Sequence, residues 1–218
     1  MALLSLLCRW RDGHPGCPPL QAVHIHHGMQ PGADSWERHC RALCAALDVA
    51  LDCVRVAVEP TGAGMEAAAR EARYQVFERC LGEGEILFMG HHLDDQVETF
   101  FLRLLRGAGV EGLAAMPARR ALGAGELLRP LLRVPRGEIE RYAADVGLAW
   151  IEDGSTRDTA LDRNFLRLEV LPLLESRWPG YRSTVARAAG NLRAGQRPAP
   201  TACESAMGDP GVPLGELS

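Results

Sequence analysis

The sequence predicts an α/β fold organised on a parallel sheet. Strand-like and helix-like stretches alternate along the chain, the order expected when crossover helices join parallel strands. The strand-like runs are short and apolar and close on glycine or histidine, as buried strands do. At 218 residues and 47% hydrophobic content, the chain can fill one good core with a small appendage.

Each element follows in turn. Residues 1–10 read as the apolar middle of a helix with no Ser, Thr, Asp or Asn cap and no strand before it, so the domain looks cut at its start. Residues 20–25 form an apolar run that leads into His26, His27 and Gly28; 36–47 have helical spacing; 51–58 alternate like a strand. A long helix is predicted over 65–81, with Met65, Ala69, Ala72, Val76 and Cys80 on one stripe and Glu66 and Arg70 paired outside. Residues 86–89 form a compact buried strand closed by Gly90, and a helix over 94–105 stops at Gly107. The Gly- and Ala-rich stretch 107–128 reads as a long loop. Helices are expected over 136–145, 161–174 and 183–192, and the Pro/Gly-rich stretch 195–218 reads as a disordered tail. The units are then 1–134 as a core, 135–194 as a small helical continuation, and 195–218 as the tail.

Composition narrows the function classes. No apolar run approaches the ~20 residues needed to span a bilayer, and the first eight residues lack the charged leader of a signal peptide, so a cytoplasmic protein with no membrane partner is expected. Seven Cys, scattered and nowhere spaced C-x-x-C, suggest neither a disulfide framework nor a zinc site. A net charge of −4 argues against indiscriminate coating of nucleic acid. All 24 basic residues are Arg, the side chain suited to bidentate phosphate contact.

The segment Gly90-His91-His92-Leu93-Asp94-Asp95-Gln96-Val97-Glu98-Thr99 carries the strongest chemical signal. It lies where a strand gives way to a helix, the rim at which open α/β sheets bind ligands. Spaced i, i+3, Asp95 and Glu98 share a helix face, able to hold Mg²⁺, accept a proton or orient an amine. Capping, with Asp94 or Asp95 at the helix start, explains one acid but not the whole cluster. His24, His26 and His27 end an earlier strand; Arg73 lies four residues before Phe77, next to the apolar stripe. From Arg163 to Arg193 six Arg (163, 167, 177, 182, 187, 193) face two acids, Glu169 and Glu175, a locally basic profile suited to phosphate contact.

Taken together, GHHLDDQVETFFLRLLRG at 90–107, VHIHHGM at 23–29, EAAAREARY at 66–74, and WIEDGS and DRNFLR within 150–167 resemble bacterial tRNA(Ile)-lysidine synthases, members of the PP-loop (N-type ATP pyrophosphatase) family. The resemblance implies a Rossmann-like parallel sheet of the adenine-nucleotide alpha-hydrolase type. It also implies ATP-dependent ligation of L-lysine to C2 of the wobble cytidine of a CAU-anticodon tRNA(Ile), through an adenylylated cytidine, with AMP and pyrophosphate released. It carries Asp95, Glu98 and Arg73 over as catalytic, His26, His27, His91 and His92 as nucleotide-binding, and Arg163, Asn164 and Arg167 as tRNA-binding. Mg²⁺ falls on Asp94 and Asp95. ATP, Mg²⁺, L-lysine and the tRNA are the implied cofactors and partners.

The sequence also departs from the pattern. Thr156 follows Ser155 where Asn is expected. The family's Ser-Gly-Gly-x-Asp-Ser phosphate loop is not found among these residues, so the sheet is expected to lack its first strand and the chain to bind ATP poorly, and the family's C-terminal tRNA-binding domains are expected to be absent after about Leu192. The exposed gap favours self-association as a homodimer. Two other classes stand beside this one: a metal-dependent phosphohydrolase using His26, His27, His91, Asp94 and Asp95, and a non-catalytic RNA-binding remnant.

Overall fold

Small residues three apart, Ala2, Ser5 and Cys8, turn one face of the first helix, α1 (Ala2–Asp12), inward. The structure, a computed structural model, describes residues 1–28, 32–58, 65–151 and 158–196. The Asp153-Gly154-Ser155 motif, Thr156 and the tail beyond residue 196 lie outside them. After α1 comes β1 (Gln21–His26), then α2 (Ala33–Ala46) and β2 (Ala50–Arg55), with β1 and β2 parallel from Gln21↔Ala50 to His26↔Arg55. Cys8, Cys44 and Val49, with Leu4, Leu20 and Leu51 against them, form the core of this unit.

Helix α3 (Met65–Cys80) leads to β3 (Ile86–Phe88) and α4 (Leu93–Leu105). Beyond it, the stretch expected as a loop is structured: a short helix, α5 (Val110–Leu113), precedes a hairpin of β4 (Arg119–Leu122) and β5 (Gly125–Leu128). Strand β5 pairs parallel with β3 and antiparallel with β4, giving the order β3-β5-β4. Glycine makes the hairpin possible. Gly123 takes φ +57° in the turn, and a Cβ on Gly125 would sit 2.5 Å from the Glu85 carbonyl oxygen. Tyr74 and Phe77 of α3 pack on Leu122 and Leu127, and Ile25 of β1 reaches the same cluster.

Four further helices follow: α6 (Arg136–Asp145), α7 (Asp162–Phe165), α8 (Leu171–Arg177) and α9 (Tyr181–Ala194). The helix expected over 161–174 is broken by a π-helical turn at Leu166–Val170. Pro172 accounts for the break, because it has no N–H to donate to the carbonyl four residues back. Helices α8 and α9 bury Leu171 and Tyr181 against Val97 of α4. Among the described residues the two sheets share no strand pair, and no helix is long and apolar enough to cross a membrane.

Candidate active site

Strand β3 hands over to α4 through Gly90, which passes Leu3 of α1, and the helix starts at the carboxyl end of the parallel β3–β5 pair. His92, not an aspartate, is the N-cap: its Nδ1 accepts from the Asp95 N–H at 3.4 Å, and Asp95 Oδ2 accepts from the His92 N–H at 3.0 Å. Asp94 is thereby free to turn outward, where it accepts from Arg182 Nε at 2.7 Å and from the Arg136 N–H at 2.8 Å. Burial pushes the Asp94 carboxyl up, but the Arg136 N–H and Arg182 outweigh it and hold its pKa below the usual carboxylate value. Arg182 also grips Glu175, and this pairing chiefly raises the Arg182 pKa.

Glu98, one turn on, is 1% exposed. A buried carboxylate must be paired, and two arginines from the α7–π segment supply the charge. Arg163 Nε donates to Glu98 Oε2 at 2.6 Å, and Arg167 donates to Oε1 at 2.7 Å and Oε2 at 3.0 Å. Arg163 Nη2 also reaches Asp95 Oδ1 at 3.4 Å. The bond to Glu98 raises the Arg167 pKa. An open cavity of about 160 Å³ lies beside this network, lined by Glu98, Arg136, Arg167 and Arg182 with Leu171 and Pro172.

On the other side stands Arg129, 3% exposed, which follows β5. It donates to the Pro117 carbonyl at 2.8 Å, to His91 Nδ1 at 3.2 Å and to the Tyr74 hydroxyl at 3.4 Å. Since His91 Nδ1 accepts, its proton is on Nε2, which is left as a donor. Burial, with Arg129, Arg163 and Arg73 nearby, lowers the His91 pKa to about 4 despite Asp95, so the ring is neutral at pH 7. His27 is likewise lowered by burial and then by Arg73, and its Nδ1 is buried without a hydrogen-bond partner among the described residues.

The predicted residues therefore divide. Asp95, Glu98, Arg163, Arg167 and His91 form one network, with the charge of Arg73 acting on His91. His92 is committed to the helix cap. The buried Asn164 donates to the Asp158 carbonyl at 2.9 Å. His26 turns away: its Nδ1 accepts from the Gly28 N–H and its Nε2 faces Asp34 at 3.1 Å. Among the described residues His26, Asp34 and Glu37 are the group with metal-ligand spacing. With Nδ1 accepting, however, Nε2 carries the proton, and Arg55 already bridges both acids. The set His26, His27, His91, Asp94 and Asp95 does not converge on a dinuclear centre.

Sequence reasoning missed Arg129 and Gln96, whose side chain both donates to and accepts from the Met116 backbone at 2.9 and 3.0 Å, and it placed Arg182 in the phosphate patch when its partner is Asp94. Arg129 did leave a signal, a single cation inside the apolar run Leu127-Leu128-Arg129-Pro130-Leu131-Leu132. Of the six arginines expected as a phosphate patch, Arg163, Arg167 and Arg182 are tied to acids and Arg193 to the carbonyls of Ala114 and Ala115.

Known proteins share this framework. The tRNA(Ile)-lysidine synthase of Pseudomonas putida is 54% identical over 190 residues, 87% of this chain and 44% of the relative. That of Pseudomonas syringae pv. tomato is 57% identical over 180 residues, 83% and 40% of the two chains. The chain thus spans less than half the length of these relatives. Among solved structures, the U34-tRNA thiolase NcsA of Methanococcus maripaludis superposes with a TM-score of 0.70 at 16% identity, over 90% of this chain and 69% of that one, a likeness of fold. The PP-loop domain model matches residues 1–174, through the capped α4 and the arginine segment that grips Glu98, and the chain belongs to the PP-loop domain family.

Proposed function

We propose that this chain carries the catalytic core of an ATP-dependent tRNA(Ile)-lysidine synthesis, joining L-lysine to C2 of the wobble cytidine in a CAU anticodon. The observation that supports it most is Glu98: a 1% exposed carboxylate at a strand-end rim, held by Arg163 and Arg167, in a chain 54% identical to a named lysidine synthase.

In this reading the C2 carbonyl oxygen attacks the α-phosphorus of ATP and pyrophosphate leaves. The deprotonated lysine amine then attacks C2, the C2–O bond breaks, AMP departs and the amine sheds its second proton. Neutral His91 offers Nε2–H to the nucleotide, and Arg73 faces the base or its phosphate. Arg163 and Arg167 meet the tRNA backbone. A phosphate arriving there competes with Glu98 for the same guanidinium groups and releases that carboxylate, with Asp95, to take up the lysine ammonium. Asn164 holds the turn that presents the two arginines. Mg²⁺ does not fit Asp94 and Asp95 as they stand. Every oxygen of the two already accepts a hydrogen bond from Arg182, Arg136, Arg163 or His92, so no step is routed through it.

The test is to incubate the chain with ATP, labelled lysine and a tRNA(Ile) transcript, then digest the tRNA and weigh its nucleosides. A lysine-sized gain at the wobble cytidine is expected, small because the chain should bind ATP poorly, and abolished in Glu98→Gln. Salt-sensitive tRNA binding without lysine transfer would instead establish an RNA-binding module.

A further inference from the structure

Helix α4 holds a stretch of backbone as well as a set of arginines. Gln96, buried between Asp95 and Val97 on that helix, donates from Nε2 to the Met116 carbonyl at 2.9 Å and accepts at Oε1 from the Met116 N–H at 3.0 Å. The segment so held, 114–118, joins α5 to β4 and is fixed from outside. Ala115 is buried with φ +50°, a left-handed conformation that a residue with a Cβ keeps only where its surroundings impose it. Arg103 of α4 donates to the carbonyls of Gly112 and Ala115 at 2.9 and 3.0 Å, and Arg193 of α9 donates to those of Ala114 and Ala115. Pro117 has no N–H with which to anchor itself, so the two bonds at Met116 are the fixed point beside it.

Pro117 in turn places Arg129. Its carbonyl accepts from Arg129 Nη1 at 2.8 Å, the shortest of the three side-chain bonds that guanidinium makes to Pro117, His91 and Tyr74, and the Ala118 carbonyl accepts from the Arg129 N–H at 2.8 Å. These acceptors are neutral, so the position of the carbonyl, rather than a strong charge pair, directs the buried guanidinium to His91 Nδ1. A line of contacts therefore runs from Gln96 through Met116 and Pro117 to Arg129 and His91. It registers the Asp95–Glu98 side of the site, which α4 itself carries, against the Arg129–His91 side, which follows β5 and β3.

We infer that Gln96 is a positioning residue of the site: through the backbone of Met116 and Pro117 it holds Arg129, and with it His91, in register with Asp95 and Glu98. The inference rests on the ligase reading for what His91 does to the nucleotide, but not for how His91 is held.

Titration of the full chain followed by histidine NMR, without ATP, lysine or RNA, reads the arrangement directly. Gln96→Met keeps the volume and removes both hydrogen bonds. With Pro117 loosened, Arg129 leaves His91, and the pH at which His91 takes up its proton should rise from about 4 to roughly 5 or higher; it stops short of 6.5 because burial, Arg163 and Arg73 still act on the ring, with Asp95 opposing them. In an Arg129→Gln background, Gln96→Met should add nothing, since it acts through that side chain. Val49→Ala, which opens the Cys8–Cys44 cluster instead, should lower stability and leave His91 unmoved. An unmoved His91 in folded Gln96→Met overturns the positioning role, as does a further shift in the Arg129→Gln background. Amide exchange of the unsubstituted chain needs no variant: the Met116 N–H should be as protected as the amides of α4, and free exchange there means that the clamp does not exist. His91 shifts without lysine transfer uphold the positioning and refute the ligase; lysine transfer with an unmoved His91 does the reverse.

Discussion

His91 shows how one buried side chain sets a pH response. Free histidine takes up a proton near 6.5, whereas the folded ring does so only near about 4. Between those values the unfolded chain binds more protons, so acid favours unfolding; the contribution is whole above pH 6.5 and fades as pH falls toward 4. His91→Gln should flatten the fall in urea-unfolding stability across that window, and an unchanged slope would show that His91 is not its source. Glu98 supports a second prediction, decided by burial. Removing the acid leaves two arginines that are 34% and 25% exposed and can turn to water, whereas removing both arginines strands a carboxylate that is 1% exposed. Glu98→Gln should therefore cost about 1–2 kcal/mol, and the pair Arg163→Met with Arg167→Met about 3–5 kcal/mol, in chemical denaturation. The reverse ranking would mean that the arginines, not the acid, are the poorly solvated partners. The i, i+3 spacing made Asp95 and Glu98 legible in the sequence. Arg129 and the pairing of Arg182 with Asp94 were not, because the partners Tyr74 and Asp94 lie 55 and 88 residues away, and only the fold brings them together.

At the scale of elements, the extents of the long helices were readable: the expected 65–81 and 94–105 appear as Met65–Cys80 and Leu93–Leu105, although the first buries Ala68, Tyr74, Val76 and Phe77 while Met65 and Cys80 of its expected stripe are exposed. The β4–β5 hairpin was not. Its strands, Arg-Arg-Ala-Leu and Gly-Glu-Leu-Leu, contain no β-branched or aromatic residue and are too short for a period of two to show. Tertiary contact forms them instead, since β5 completes its ladder on β3 and Gly125 lies against the Glu85 carbonyl. Gly125→Ala places a methyl where only 2.5 Å is available to a backbone oxygen that cannot rotate away. It should destabilise the protein by about 1–3 kcal/mol, read as a lower urea midpoint with an unchanged slope; a neutral substitution would show that the hairpin does not dock there. The π-helical turn was equally hidden, although Pro172 stood in the sequence as its cause.

Across the whole molecule, apolar burial is divided and ionic contact does much of the joining. Three small clusters replace one large core: Cys8 with Cys44, Tyr74 with Leu127, and Val97 with Tyr181. Strands β1, β2, β3 and β4 each leave an edge unpaired among the described residues. Helices α7 to α9 are fastened to α4 by Glu98 with Arg163 and Arg167, and by Asp94 with Arg182, as well as by the Val97 cluster. Divided clusters bury less surface per residue than a single core, and partly exposed pairs weaken as salt shortens the Debye length from about 10 Å at 0.1 M to about 3 Å at 1 M. The chain should therefore melt at or below about 45 °C, the lower edge of the mesophile range, and sodium chloride should lower that midpoint further. Glu98→Gln should shrink the salt effect, because it removes the acid that two of the three clamping arginines share. Calorimetry at low and high chloride measures both. A single sharp transition above about 60 °C, insensitive to chloride, would mean that apolar packing, not the ionic clamp on α4, carries the fold.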